Sequence, residues 1–179
     1  MKRSFLVLVA VAVAIGAFGA LLVVTHPALA KAPLSPDEAA DLQFVREEEK
    51  LARDVYEELD ALYGGQVAIF GNIAVSEDTH TLAIKTLLDR YDVTDPAADD
   101  DHGVFVNHEL QLLYDDLVES GSASLREGLL VGVFIEELDI EDLTACLDDT
   151  THADIQNVYT SLIDGSLSHL DSFQKVLAR

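Results

Sequence analysis

Residues 70–91 read FGNIAVSEDTHTLAIKTLLDRY, and their apolar side chains recur every three or four positions. This period is that of an amphipathic α-helix with one buried face. The face consists of Phe70, Ile73, Glu77, His80, Ile84, Leu87 and Tyr91. Glu77 and His80 are its only ionisable members, and residues three positions apart are neighbours on a helix. A carboxylate and an imidazole placed in this way can bind the same metal ion.

Three other long segments show the same period. Ser35-Pro36-Asp37-Glu38 predicts a helix start with a capping box. We expect the long helices to cover about 36–63, 66–91, 122–147 and 150–177, with Ser122 or Ser124 opening the third and Thr150-Thr151 capping the fourth. A shorter helix is expected over about 105–119, ending at Gly121. Because no alternating strand pattern of useful length is present, the sequence predicts an all-α fold: an antiparallel four-helix bundle with a short extra helix between its second and third long helices.

The apolar face of the first helix also contains one ionisable residue, Glu49. The neighbouring face through Glu48 includes Asp41 and Glu58 as well, so we expect Glu48 at the edge of the helix. The predicted interior residue of this segment is therefore Glu49.

The third and fourth long helices contribute further ionisable residues. Two phases compete on the third helix, so the pattern leaves Glu136 and Glu137 as alternatives, and Asp139 lies one turn after Glu136. On the fourth helix, His169 is the one ionisable residue of the apolar face. Burial of several carboxylates without basic partners requires counter-charge, which divalent cations supply. Mixed carboxylate and imidazole ligands suit iron or manganese better than calcium.

Composition excludes some partners and predicts export. The chain has 33 acidic and 11 basic residues and a net charge of −22, which argues against nucleic-acid binding. Residues 1–30 have a basic start, an apolar run and an Ala-x-Ala site, and are therefore predicted to be a signal peptide or, if uncleaved, a membrane anchor. Residues 31–179 would form the exported extracellular or envelope domain. Its single Cys146 cannot form an internal disulfide, so stability must come from core packing, bound metal or oligomerisation, and a homodimer is left open.

The motifs resemble those of the ferritin-like superfamily, especially rubrerythrin and an exported family of ferritin-like domains. Residues 49–56 match the rubrerythrin pattern Glu-x-x-Ala-Arg-x-x-Tyr, and residues 73–80 are similar to the first Glu-x-x-His motif. Residues 132–140 resemble the third ligand helix, with Glu-x-x-Asp where rubrerythrins have Glu-x-x-Glu. Residues 158–170 resemble the fourth. The resemblance extends over about 34–177, essentially the whole domain.

This resemblance implies a set of metal ligands with one departure. The candidates are Glu49, Glu77, His80, Glu136, Glu137, Asp139 and His169. Ser166 stands where the fourth helix should carry a glutamate, so Asp139 or the second of Glu136 and Glu137 would have to replace that carboxylate. Cys-x-x-Cys pairs are absent from the sequence, so the rubredoxin-type iron centre of full rubrerythrins is absent too.

Two functions follow as expectations. The first is a non-haem di-iron or di-manganese oxidoreductase that acts on oxygen or peroxide or oxidises iron, with Tyr56 and Tyr159 as accessory residues. The second is a non-catalytic module with a degenerate site, holding one metal or none, that captures metal or takes part in cell-envelope interactions. A third site, formed on the surface by His102, His108, Asp101 and Glu109, is given little weight because incidental histidines in an acidic loop need no special explanation.

Overall fold

The first helix begins where the capping box predicts. The computed structural model describes residues 32–179, and the predicted signal peptide or anchor lies outside them. Ser35 accepts a hydrogen bond from the Glu38 backbone N–H, and the Glu38 carboxylate accepts one from the Ser35 N–H, at 3.1 and 2.9 Å. These two bonds satisfy backbone donors that a helix start leaves unpaired. Helix α1 then covers Pro36–Tyr63.

Four further helices follow, so residues 32–179 contain five helices and no strand, as an all-α fold requires. Helix α2 covers Ile69–Tyr91, α3 covers His108–Gly121, α4 covers Leu125–Asp149 and α5 covers Ala153–Leu177. No helix in this part of the chain is long and apolar enough to cross a membrane.

Local hydrogen bonds explain where the boundaries differ from the predictions. Helix α2 begins three residues later than Gln66, because the backbone N–H groups of Gln66 and Val67 turn back to the Tyr63 carbonyl. Helix α3 begins after Asn107, whose side chain accepts hydrogen bonds from two backbone N–H groups of the first turn. Of the two serines proposed to open α4, Ser124 is the cap.

The predicted Thr150-Thr151 cap of α5 is wrong. His152 is the residue that precedes α5, and its side chain makes no capping hydrogen bond. The Thr150 hydroxyl instead donates to Glu38 Oε1 at 2.8 Å and accepts from the His152 backbone N–H. The turn between α4 and α5 is therefore attached to the start of α1.

The long helices pack so that each runs antiparallel to its two neighbours. Helix α1 contacts α2 and α4, and α5 contacts the same two helices, while α3 packs on α1 and α4. The end of α1 lies at the start of α4, where the Tyr63 hydroxyl donates to the carbonyls of Gly121 and Ser122. The end of α2 lies at the start of α5, where the Tyr91 hydroxyl donates to Asp154. The segment 92–124, which includes α3, therefore runs the length of the helices.

Two apolar clusters occupy the two ends of the helical core. One is built around Tyr56, Phe70 and Phe173, and the other around Leu42, Ile84 and Tyr159. A belt of buried polar residues separates them in all four long helices. The belt contains Glu48, Glu49, Glu77, His80, Glu136, Asp139, Ser166 and His169. Burial of this many ionisable groups costs several kcal/mol for each unpaired charge, so the belt is the candidate functional site.

Candidate metal centre

Five side chains from four different helices meet in the polar belt. Helix α1 provides Glu49, α2 provides Glu77 and His80, α4 provides Glu136 and α5 provides His169. The three carboxylates are no more than 2% exposed and the two imidazoles no more than 9%. Each lies on the apolar face that its helical period predicts, since the same face that buries leucine and phenylalanine also buries these groups.

The first group of potential ligands is formed by Glu49, Glu77 and His80. The Nδ1 atom of His80 lies 2.7 Å from Glu77 Oε2 and 3.2 Å from Glu49 Oε2. One ligand atom from each of the three residues lies within 4.8 Å of the other two. This spacing is suitable for one metal ion.

The second group is formed by Glu77, Glu136 and His169, with the same spacing. The Nδ1 atom of His169 lies 2.8 Å from Glu77 Oε1 and 3.5 Å from Glu136 Oε2. Glu77 belongs to both groups and turns one oxygen toward each histidine. The two imidazole rings are nearly parallel, with centroids 5.6 Å apart.

Several buried atoms of the belt have no hydrogen-bond partner within residues 32–179. They are Glu49 Oε1, Glu77 Oε1, Asp139 Oδ1, His169 Nδ1 and both carboxylate oxygens of Glu48. Glu77 Oε1 and His169 Nδ1 nevertheless form an ion pair, with 2.8 Å between the two atoms. A buried polar atom without a partner costs about 1–3 kcal/mol, and more when it is charged. A divalent cation in each group would satisfy the atoms of Glu49, Glu77 and His169, so these residues fit a pair of metal ions.

Neighbouring hydroxyl groups orient two of the potential ligands. The Tyr56 hydroxyl donates to Glu136 Oε1 at 2.7 Å, and His169 Nε2 lies 3.0 Å from the hydroxyl oxygen of Ser76. Such contacts fix the orientation of a ligand and leave its other atom facing the centre. Ser76 could not be predicted from the sequence, because a serine next to Glu77 gives no periodic signal.

Asp139 lies beside the two groups without belonging to either. Its carboxylate accepts a hydrogen bond from the Ser166 hydroxyl, while its Oδ1 atom has no partner. Burial raises the pKa of Asp139 to about 7, and the nearby Glu136 and Glu77 act in the same direction. Ser166 thus takes the place of the expected glutamate and binds a carboxylate that comes from the adjacent helix.

The charges of the centre perturb its ionisation strongly. Burial alone would raise the pKa of Glu77, but His169 and His80 lower it to about 2. Burial alone would lower the pKa of His80, but Glu49 and Glu77 raise it to about 11. The pKa of His169 is likewise raised, to about 9, by Glu136 and Glu77 against the effect of burial. Burial, with the nearby Asp139, raises the pKa of Glu49 well above its usual range. The imidazoles are thus the positive charges on which the carboxylates depend.

Residues 38–179 match a family described as an uncharacterized protein domain (DUF2202). The chain belongs to this family. It is also 45% identical over 149 residues to the uncharacterized protein MJ0754 of Methanocaldococcus jannaschii, an alignment that covers 83% of this chain and 80% of the relative. A crystal structure of hypothetical protein MJ0754 matches with a TM-score of 0.80 and covers 84% of this chain and 85% of that one. The helical fold is therefore shared with a solved structure.

The structure of this DUF2202 chain resolves the alternatives left open by the helical periods. Glu136 faces the centre, whereas Glu137 is exposed and cannot reach it. Tyr56 contacts the centre through Glu136, whereas Tyr159 lies in the apolar cluster around Leu42, away from both groups.

The expectation that Glu48 lies at the helix edge is wrong, because Glu48 is only 4% exposed. The other acidic residues on this face suggested that it is exposed to solvent, but α4 packs over that face.

The predicted surface site of His102, His108, Asp101 and Glu109 is not formed either. Within the described chain, His102 groups with Asp54 and Glu57 rather than with His108, and Asp54 is already paired with Lys50 and Arg53.

Proposed function

We propose that this DUF2202 protein is a ferritin-like four-helix bundle that holds two metal ions at its centre and uses them in redox chemistry. The antiparallel packing and the single long connection between α2 and α4 support the bundle, because ferritin-like folds have one such crossover. The fold alone does not determine function, so the proposal rests on the centre.

One observation carries the proposal: Glu77 is shared by two groups of three ligands. In such a centre Glu77 would bridge the ions, Glu49 and His80 would complete one site, and Glu136 and His169 would complete the other. The buried Oε1 atom of Glu49, which has no hydrogen-bond partner in the described chain, supports this assignment.

The donor set favours iron or manganese, because carboxylate and imidazole ligands suit these metals. When bound as divalent ions, such a pair could supply two electrons, one from each ion, to reduce oxygen to peroxide or peroxide to water with two protons, and ferrous iron as substrate could return these electrons. The residues of the chain exclude bulk water by burial, hold the two imidazoles in place and orient Glu136 through Tyr56. The exchange would take place outside the cytoplasm, since residues 1–30 are predicted to direct export.

A second candidate is a non-catalytic module with one metal or none. The observation that favours it is the serine at position 166, with Asp139 outside both groups of ligands. A bundle that lacks one carboxylate would bind its second ion more weakly, and capture of metal or interaction at the cell envelope would then be its role.

Metal analysis of the chain after anaerobic addition of Fe²⁺ or Mn²⁺ tests the proposal. We expect two ions per chain, with oxygen or peroxide consumed faster than by the same concentration of free metal. Glu77→Gln should abolish both sites at once, because both groups share this residue. Glu137→Gln is the matched control on an exposed residue and should retain two ions.

The outcomes separate the two candidates. One ion per chain, or bound metal with no acceleration of oxygen or peroxide consumption, would favour the non-catalytic module. Binding of neither metal by the folded wild-type chain would exclude the metal centre.

A further inference from the structure

The interface between α1 and α4 is lined by acidic residues along its length. On α1, Asp41 and Glu48 are seven positions apart, and on α4, Asp142 and Asp149 have the same separation. Seven residues are close to two helical turns, so each pair lies on one face of its helix. Because α1 and α4 run antiparallel, Asp41 lies near Asp149, and Glu48 lies near Asp142 and Asp139.

One end of this interface opens as a pocket of about 230 Å³. It is lined by Ser35, Asp37, Glu38, Asp41 and Asp149. None of these described lining residues is basic, so the pocket carries a concentrated negative charge. Electrostatic focusing in an acidic cleft raises the local concentration of cations.

The other end of the interface contains a buried carboxylate with no hydrogen-bond donor. Glu48 is 4% exposed, and no N–H group or hydroxyl group within the described chain donates to its oxygens, whose polar neighbour is the carboxyl group of Asp142. The acidic groups that surround it are Asp139 and Asp142. Its neighbour in sequence, Glu49, belongs to the candidate metal centre. Glu48 therefore lies between the acidic pocket and the centre.

The other buried acids on this part of α1 have donors. Glu47 accepts hydrogen bonds from the backbone N–H groups of Val106 and Asn107. Asp54 accepts hydrogen bonds from Lys50 and Arg53. The chain thus provides basic or N–H partners on the face of α1 that meets the loop before α3, and leaves Glu48 without any on the face that meets α4.

We propose that the acidic interface between α1 and α4 is the route by which a divalent cation passes from the surface pocket to the metal centre, with Glu48 and Asp142 as transient oxygen ligands. A cation entering at Asp41 and Asp149 would move inward along carboxylates spaced by about two helical turns. Asp139, with its unpartnered Oδ1 atom, lies at the inner end beside Glu49. This inference rests on the proposed metal centre.

The rate of metal uptake tests the route separately from the centre. The probe is Co²⁺, whose visible absorbance reports binding directly, added in a stopped-flow instrument to the full chain purified in mild detergent. Glu48→Gln keeps the size of the side chain and removes its charge. We expect it to slow loading by about ten-fold, in line with the effect of electrostatic steering on association rates, with the final uptake unchanged at two ions. Glu57→Gln, on an exposed position of the same helix, should load at the wild-type rate.

Asp41→Asn provides a second test at the mouth of the pocket, away from the centre, and should also slow loading. This variant keeps the route testable if Glu48→Gln does not fold. Loading of both variants at the wild-type rate would overturn the route. A lower final uptake by Glu48→Gln would overturn it as well, because Glu48 would then be a permanent ligand. Failure of the wild-type chain to bind Co²⁺ would exclude the centre and the route together, whereas normal uptake with unchanged rates in the variants would exclude only the route.

Discussion

Ser166 on α5 donates a hydrogen bond to the carboxylate of Asp139 on α4. The bond links two adjacent helices at the level of the candidate metal centre, where the rubrerythrin pattern has a glutamate in place of the serine. The second oxygen of Asp139 is buried and has no partner in the described chain. Asp139 on α4 is thus the carboxylate that lies beside position 166, where the resemblance leads us to expect a glutamate on α5.

Asp139→Asn should weaken the binding of one of the two ions. Asparagine keeps the size of the side chain and an oxygen that accepts from Ser166, but it removes the negative charge. Loss of a buried carboxylate next to the bound cations should lower affinity by about ten-fold. Equilibrium dialysis with metal analysis would measure the change. Glu137→Gln removes one charge from the exposed face of the same helix and should leave both affinities unchanged, so an equal loss in the two variants would refute the role of Asp139.

Gly165→Ala should disturb His80 without unfolding the protein. A Cβ atom at position 165 would lie 2.7 Å from the Cε1 and Nε2 atoms of His80, which is closer than side chains pack. The imidazole must therefore move. Alanine also favours the helical state by up to about 1 kcal/mol relative to glycine, so the free energy of unfolding should change little.

We expect Gly165→Ala to bind metal with an affinity about ten-fold lower, because the orientation of a ligand sets how strongly it binds the metal. Calorimetric titration would measure the affinity. Ser168→Ala, on an exposed position of α5, controls for the change in helix propensity. Equal affinity in Gly165→Ala and the wild type would show that the His80 ring adapts or does not bind metal.

The sequence predicts the five helices and most of the centre because both follow from periodicity within single helices. Glu49, Glu77, His80 and His169 interrupt otherwise apolar faces, and this signal is local. The choice of Glu136 over Glu137 needed the packing of α4 against its neighbours, because two helical phases fit the sequence equally well.

The burial of a residue by a segment that is distant in the sequence could not be predicted from the period of a single helix. Glu48 lies on a face with other acids, which suggests solvent, yet α4 covers that face. Lysine is likewise a residue type usually found at the surface, but the loop before α3 folds over Lys50. The Lys50 ammonium group lies 4.5 Å from the centroid of the Phe105 ring. The pattern of apolar residues in α1 does not indicate either contact.

Lys50→Met should destabilise the fold strongly. Lys50 is 1% exposed, and its ammonium group donates to the Asp54 carboxylate and, at 2.8 Å, to the Asp101 carbonyl. Removal of one partner from a buried ion pair costs about 3 kcal/mol when the remaining charge is left uncompensated. Because Arg53 still pairs with Asp54, we expect a loss of about 2 kcal/mol. Urea denaturation followed by circular dichroism would measure the free energy of unfolding.

Lys85→Met is the matched control for this change, because Lys85 and Asp89 form an ion pair with the same spacing on an exposed face of α2. An exposed pair of this kind contributes about 0.5 kcal/mol or less. Equal losses of stability in the two variants would contradict the role assigned to burial.

Glu38→Ala should make the stability of the protein less dependent on pH in acid. Burial alone would raise the pKa of Glu38, but the backbone N–H of Ser35, the Thr150 hydroxyl and His152 lower it to about 2. Since the folded pKa lies below the usual value of 4.5, the stabilisation is fully present above about pH 4.5 and is lost as the pH falls toward 2. Loss of the capping box should cost about 1 kcal/mol at pH 7.

Denaturation of the wild type, of Glu38→Ala and of Asp37→Ala, an exposed neighbour, at pH 7 and pH 2.5 measures how the free energy of unfolding changes with pH. The difference between Glu38→Ala and the wild type should shrink at the lower pH, and a difference that stays constant would mean that the Glu38 charge contributes nothing.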